Sequence, residues 1–255
     1  MFAEMRNQAS MATVARTLST VRQLCRWAHR RDLTTADPCR EISVPSPGKS
    51  QLPVRAISDE DLAALRAAVY SQERGPRAAW AVRDRAVLEM LVGCGLRASE
   101  LCQLRVKELD TNLERALLHL NSGTKGSRSR DVPVPDEALT SIDGYMSERV
   151  NILGKPQPQD RLFVRRNGAT FDRGFLDRLV RDLASIAGVE FEPGTCAHAL
   201  RHHYGSQLAL RGVPVPVIQE LLGHQDSRTT ARYTRLAPAQ LINALDDAGW
   251  LRRPS

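Results

Sequence analysis

The sequence predicts a mainly α-helical protein with one small antiparallel β-hairpin. Through most of the 255-residue chain, apolar residues recur at three- and four-residue spacing, as they do on the buried face of an amphipathic helix. Residues typical of helix starts and stops bound several of these segments, such as Ser58 before a run of acids and Gly95 after an apolar run. Two short strand-like segments, 116–120 and 130–134, flank a turn-forming stretch, and this arrangement predicts a β-hairpin.

The remaining elements follow from the same periodicity. Residues 161–165 are predicted as a brief strand. Helices are predicted at about 12–31, 59–70, 77–92, 98–104, 136–150, 173–187, 197–211, 214–222 and 238–247. The C-terminal helix has an apolar face, which either folds back on its own core or docks on a neighbouring protomer.

Proline and glycine divide the chain into two parts. Residues 45–55 are rich in proline, which cannot continue a helix, and are predicted as an interdomain linker. Residues 1–44 contain about one long helix, too little for an independent core, and are predicted to be part of a helical domain whose arginines either contact phosphates or are only solvated. Residues 56–255 are the large domain that carries the candidate functional residues.

Composition excludes several classes of protein. With 42% hydrophobic and 25% charged residues, the chain has the balance of a soluble globular protein, not a disordered one. No apolar run approaches the roughly 18 residues of a membrane span, and the N-terminus lacks the apolar core of a secretory signal. The net charge of +7 favours a polyanionic partner, although a merely basic soluble protein is the alternative.

The five cysteines predict neither a disulfide framework nor a metal centre. Their number is odd, no Cys-x-x-Cys pair occurs, and no cysteine–histidine grouping has zinc spacing. We therefore expect a reducing, cytoplasmic location and no structural metal. Cys94 and Cys102 lie in apolar helical segments and are expected to be small core residues.

Several residues could act on an anionic substrate. Arg97 follows a glycine turn at a predicted helix start, where free N–H groups and a guanidinium both donate to oxygens. Lys125 lies in the predicted hairpin turn, and four of the six histidines are clustered near the C-terminus with Arg201 among them. Each residue taken singly has an ordinary structural explanation, so the joint pattern carries the argument.

This joint pattern resembles the tyrosine recombinase, or phage integrase, family. The segments that carry the resemblance are GLRASEL at 95–101, GTKG at 123–126 with DVPV at 131–134, HALRH at 198–202, LGH at 222–224 and TTARYT at 229–234. Tyr233 follows His224 by nine residues, as the nucleophilic tyrosine follows the Leu-Gly-His box in the family. The resemblance covers roughly residues 12–247, with a shorter N-terminal core-binding domain than is usual in the family.

The resemblance implies a catalytic set that chemistry also supports. Attack on a DNA phosphodiester builds negative charge on the non-bridging oxygens, which Arg97 and Arg201 can clamp and to which His224 can donate. The remaining three residues of the set complete the expected site. The nucleophile is Tyr233, the general base is His198, and the acid that protonates the leaving 5′-oxygen is Lys125.

Several further properties follow from the resemblance. It implies a reaction on double-stranded DNA through a 3′-phosphotyrosyl intermediate, without a cofactor or a metal ion. It also implies a mobile genetic element as one common setting for such a gene. Free protein is expected to be monomeric and to form a tetramer on paired sites. The alternatives are a catalytically impaired DNA-binding accessory or decoy, favoured by the short N-terminal segment, and a type IB topoisomerase, which the motif spacing disfavours.

Overall fold

The structure, a computed structural model, describes residues 11–40, 42, 57–121, 129–191, 196–223 and 238–251. The chain divides into two compact units, Met1–Arg55 and Ala56–Ser255. The whole of the predicted linker, 45–55, lies outside the described residues, so the linker stays a prediction. No helix of the described part is long and apolar enough to cross a membrane.

The first unit contains one long helix. Helix α1, Met11–Arg30, forms where the apolar periodicity predicts it. Its C-terminal half exposes Arg26 and Arg30, so this unit presents positive charge to solvent. A turn of the chain after α1 brings Cys39 back to the helix, where its Sγ lies 3.3 Å from that of Cys25.

The second unit is mainly helical around a small sheet, as predicted. Its α-helices are α2 Asp59–Ala68, α3 Ala81–Cys94, α4 Ala98–Gln103, α5 Asp136–Leu153, α6 Arg173–Ala187, α7 Cys196–Leu210, α8 Val215–Leu222 and α9 Pro238–Asp247. Its strands are β1 Leu109–Asp110, β2 Leu117–Leu120 and β3 Arg130–Pro133. The order is β1-β2-β3, with both pairs antiparallel. The β2–β3 pair confirms the predicted hairpin, whose turn at 122–128 lies outside the described residues.

Local signals explain most helix boundaries. Ser58 caps α2, because its hydroxyl accepts the N–H of Asp61 at 3.0 Å while the Asp61 carboxylate accepts the N–H of Ser58 at 3.1 Å. The prediction that one α-helix begins near residue 77 is wrong. Residues Gln72–Trp80 form a 3₁₀ segment kinked at Gly75, which has φ 51°, and Pro76 follows it without an N–H to donate.

Two other differences concern the β-structure. Strand β1 was not predicted, because two residues are too few to show an alternating pattern. The strand predicted at 161–165 is not formed. Only isolated bridges occur there, Arg105 with Arg161 and Val164 with Thr170.

Helix α3 is the centre of the core. It packs against α5 and α7, and its apolar side chains from Ala86 to Val92 are buried on every side of the helix. Helix α9 folds onto its own chain, against β3 and α8, with Leu241 and Leu245 buried. In this single chain α9 thus takes the intramolecular arrangement, and docking on a neighbouring protomer stays a prediction. The buried end of α3 supports the functional site on the next turn of the chain.

Candidate active site

The turn that presents Arg97 is shaped by a close contact. Helix α3 ends at Gly95 in the left-handed conformation, with φ +58°. A Cβ at this position would lie 2.3 Å from the ring of Tyr204, so the sequence needs glycine here for both conformation and space. The buried ring of Tyr204 thus packs directly against the turn, and Arg97 lies immediately before the first residue of α4.

Glu100 is the hub of the ionic network at this turn. Its carboxylate accepts the backbone N–H of Arg97 and the Nη1 of Arg97, both at 2.7 Å. It also accepts two parallel hydrogen bonds from Arg130, at 2.8 and 2.9 Å. The nearest nitrogen of Arg201 lies 3.9 Å away. One carboxylate therefore orients Arg97 and Arg130 by hydrogen bonds and lies near Arg201.

The same three arginines bind the C-terminal end of α8. Arg130 Nε donates to the carbonyl oxygen of residue 221 at 2.7 Å, Arg97 Nη2 donates to that of residue 223 at 2.6 Å, and Arg201 Nη2 donates to that of residue 222. Arg201 Nη1 also donates to the carbonyl of residue 95 at 2.6 Å. Carbonyl groups without helical partners and the negative end of the helix dipole both favour such cations. This end of α8 precedes His224 in the chain.

Arg130 is a residue that the sequence interpretation missed. It is fully buried on β3, and it joins the hairpin to Glu100 and to α8. Gly223 has φ +59°, and a Cβ there would lie 3.0 Å from Arg130 Nη1. Its position in the strand could have indicated this role. Arg130, Val132 and Val134 lie on the same face of the predicted strand, and a charged residue on a buried face needs a partner of opposite charge.

Burial and charge set the electrostatics of the site. Burial alone would raise the pKa of Glu100, but the hydrogen bonds and charge of Arg130, together with Arg97, lower it to about 2. Burial, and after it the charge of Arg97, lowers the pKa of Arg201 to about 10. Both groups therefore remain ionised at neutral pH. Three guanidiniums around one carboxylate leave an excess of positive charge, which is suited to a bound anion.

A cavity of about 660 Å³ opens beside this network. Arg97, Arg201 and His198 line it, together with residues from the start of α6. The side chain of Arg97 is 37% exposed and that of Arg201 is 6% exposed. Arg97 is therefore accessible to solvent, whereas Arg201 is buried at the edge of the cavity. His198 is exposed on the first turn of α7. The structure thus brings together three of the six predicted catalytic residues.

The other three predicted residues, Lys125, His224 and Tyr233, lie outside the described residues. Two other tyrosines, Tyr145 and Tyr204, are fully buried in the core, and burial raises the pKa of both hydroxyls. Neither is therefore suited to attack a phosphodiester. His203, also without a predicted role, is buried and lies 2.7 Å from the carbonyl oxygen of Ile57 through its Nδ1.

The Arg130 network gives a prediction about stability. Arg130→Met should lower the free energy of unfolding by about 3–5 kcal/mol, because it leaves the mostly buried Glu100 carboxylate, 15% exposed, without its bidentate partner. Arg115→Met is the matched control, since Arg115 pairs with Asp136 and Asp246 in a partly exposed position and should cost at most about 1 kcal/mol. Urea unfolding of both variants measures the difference. Equal losses would contradict the assigned role of Arg130.

A cavity with two anchored guanidiniums and an exposed histidine is suited to bind an anionic group such as a phosphate ester. Comparison with known proteins identifies the class. Residues 58–240 match the phage integrase family, and the chain belongs to this family of tyrosine recombinases, which are enzymes that cleave and rejoin DNA.

Curated relatives and solved structures agree with this membership. The chain is 34% identical over 229 residues to the tyrosine recombinase XerD of Pseudomonas putida, covering 90% of this chain and 72% of the relative. It is 33% identical over 235 residues to XerC of Mycobacterium bovis, covering 91% of this chain and 75% of the relative.

Among solved structures, XerA recombinase matches with a TM-score of 0.57 and 24% identity, over 100% of this chain and 81% of that one. The Tn1549 transposon integrase, solved in complex with circular intermediate DNA, matches with a TM-score of 0.66 and 20% identity, over 95% and 81%. These likenesses confirm the mainly helical fold with a small antiparallel sheet.

Proposed function

We propose that this protein is a site-specific DNA recombinase that cleaves and rejoins DNA through a 3′-phosphotyrosyl intermediate. The observation that carries the proposal is the pair Arg97 and Arg201, which line one cavity although 104 positions separate them in the chain. Arg97 is held by Glu100, and both arginines donate to carbonyl groups at the end of α8, so their guanidiniums are oriented before a substrate arrives. Such preorganised donors are the largest single contribution in many enzymes that stabilise developing negative charge.

In the first chemical step, the Tyr233 hydroxyl oxygen attacks the phosphorus of the scissile phosphodiester. The bond between phosphorus and the 5′-oxygen breaks, and a 3′-phosphotyrosyl ester forms. The tyrosine proton goes to His198, whose imidazole can act as a general base and whose side chain is exposed in the cavity. Lys125 protonates the leaving 5′-oxygen.

Charge stabilisation is the task of the remaining residues. Arg97 and Arg201 donate to the non-bridging oxygens, and His224 adds a further hydrogen bond. Religation runs the same step backwards, because a 5′-hydroxyl of the incoming strand attacks the phosphotyrosyl ester and releases Tyr233. The ester retains the energy of the broken bond, so no ATP is needed.

Charge favours double-stranded DNA as the partner. The net charge of +7 and the exposed arginines of α1 suit a phosphate backbone. Relatives of this fold have been solved with DNA, including XerH bound to its difH substrate. The curated relatives are named as recombinases, which favours an active enzyme over an accessory or decoy protein.

Assembly follows from the chemistry of strand exchange. Exchange between two duplexes uses four tyrosines and therefore four protomers. Since α9 is packed on its own chain, we expect the free protein to be monomeric and the tetramer to form on paired sites. Light scattering with and without DNA that carries two sites tests this expectation.

The proposed function is tested by covalent trapping in the absence of divalent metal ions. A nicked suicide substrate built from the DNA that flanks the coding region should form a covalent protein–DNA adduct in excess EDTA. The reason is that guanidiniums supply the positive charge, while the carboxylate that lines the cavity in the described residues, Asp177, pairs with Arg181. Denaturing gel electrophoresis measures the adduct. Loss of the adduct in EDTA and its recovery with Mg²⁺ would contradict the metal-independent mechanism, and binding without any adduct would contradict the proposed enzyme.

A further inference from the structure

We propose that Cys25, Asp37 and Cys39 form a binding site for one thiophilic divalent cation, with Zn²⁺ the preferred ion. Their ligand atoms, two Sγ atoms and one carboxylate oxygen, all lie within 4.8 Å of one another. This is the one such group of metal-ligating side chains found among the described residues. The site lies in the first unit and does not depend on the proposed function of the second.

The local geometry fits a tetrahedral ion. Two Zn–S bonds of about 2.3 Å at the tetrahedral angle place the sulfur atoms about 3.8 Å apart, and here the two Sγ atoms are 3.3 Å apart. Asp37 Oδ1 accepts the backbone N–H of Cys39 at 2.9 Å, which holds the carboxylate beside that thiol. Arg22 Nε donates to the Cys39 carbonyl at 3.3 Å and fastens the same turn to α1. A shift of about half an ångström brings the sulfurs to the distance for zinc.

The donor set selects the kind of ion. Thiolates are soft ligands that favour Zn²⁺ over Mg²⁺ and Ca²⁺, which prefer oxygen. Cys25 and Asp37 are only partly buried, so a water molecule can supply the fourth ligand. Binding releases both thiol protons to solvent, because the thiolate is the metal ligand. Metal affinity should therefore rise with pH.

The first unit has few other means of stabilisation. The buried apolar residues among its described side chains are Val14 and Cys39, whereas Leu24, Trp27 and Leu33 are 61%, 46% and 65% exposed. Small units with so little core are commonly held together by metal ions or disulfides. An ion bound at this site would tie the middle of α1 to the turn that follows it, and its binding energy would contribute to folding.

The test measures metal binding by the full-length protein, reduced with a phosphine. Titration with Zn²⁺ against a chromogenic chelator should show one equivalent bound, and Co²⁺ should give a thiolate-to-metal charge-transfer band. Cys25→Ser and Cys39→Ser should each remove this band and weaken Zn²⁺ binding at least about 10-fold. If Cys39→Ser fails to fold because Cys39 is buried, Cys25→Ser on the helix surface still provides the test.

Asp37→Asn separates a ligand from a turn residue. An asparagine oxygen can still accept the Cys39 N–H, so the turn persists, but the anionic ligand is lost and Zn²⁺ binding should weaken at least about 10-fold. The matched control is Asp32→Asn in the exposed turn that ends α1, which should leave binding unchanged, as should Cys196→Ser in the other unit. Equal affinity of Asp37→Asn and Asp32→Asn would overturn the three-ligand site. Zn²⁺ binding of unchanged affinity in Cys25→Ser, or two thiols that bind no ion and only form a disulfide, would overturn the proposal altogether.

Discussion

Replacement of Tyr233 by phenylalanine is expected to abolish the covalent protein–DNA adduct while leaving DNA binding unchanged. Phenylalanine keeps the ring but has no oxygen to attack phosphorus, so no phosphotyrosyl ester can form. The residual signal on a suicide substrate should fall below detection, which is the largest effect expected of any single substitution in this protein. The measurement pairs denaturing gel electrophoresis for the adduct with a gel-shift titration for binding.

The chain offers a matched control for this experiment. Tyr70 is 58% exposed after the end of α2, and Tyr70→Phe makes the same chemical change at a surface position outside the family motif. It should cleave at the rate of the unaltered protein. An adduct formed by Tyr233→Phe, with the labelled peptide mapping to Tyr70, would show that the nucleophile has been misassigned.

The two arginines of the proposed clamp, Arg97 and Arg201, could be predicted from sequence because their local signals are strong. Arg97 follows a glycine that ends a helix and precedes an acid three residues on, and in the structure that acid, Glu100, bonds both the backbone and the guanidinium of Arg97. Arg201 could be recognised by its motif, but its partners could not. They are carbonyl oxygens of Gly95 and Leu222, and backbone acceptors carry no signature in the identity of the residue.

The remainder of the network depends on contacts between distant segments. Arg130 lies 30 positions after Glu100 and 91 positions before Leu221, and no helical or strand period relates residues so far apart. The tight fit of Tyr204 against Gly95 is likewise a tertiary feature, because the glycine predicts a turn without indicating what covers it. The sequence therefore predicts which residues have the right chemistry, whereas packing decides how they are oriented.

Arg201→Lys is expected to lower the rate of DNA cleavage by about 10²–10³-fold, the cost of one lost donor to a developing oxyanion. The guanidinium of Arg201 donates to two carbonyl groups from two different nitrogens. Because a guanidinium has five N–H groups in one plane, others remain available to donate to the phosphate. A lysine ammonium is a single centre that cannot bind both carbonyls and the phosphate in this geometry. Cleavage rates on a suicide substrate at saturating protein measure the loss.

A buried arginine away from the cavity shows whether this loss is specific to the clamp. Arg149 is also buried and donates to backbone carbonyls, those of Arg161 and Leu162. Arg149→Lys should therefore disturb packing in a comparable way while leaving the cleavage rate nearly unchanged once the protein is folded. If Arg201→Lys cleaves at a near-normal rate, or if Arg149→Lys loses as much, the guanidinium of Arg201 acts on the stability of the helix ends and not on the phosphate. A loss confined to Arg201→Lys, with DNA affinity retained, places the effect in the transition state, because substrate binding would then be unaltered.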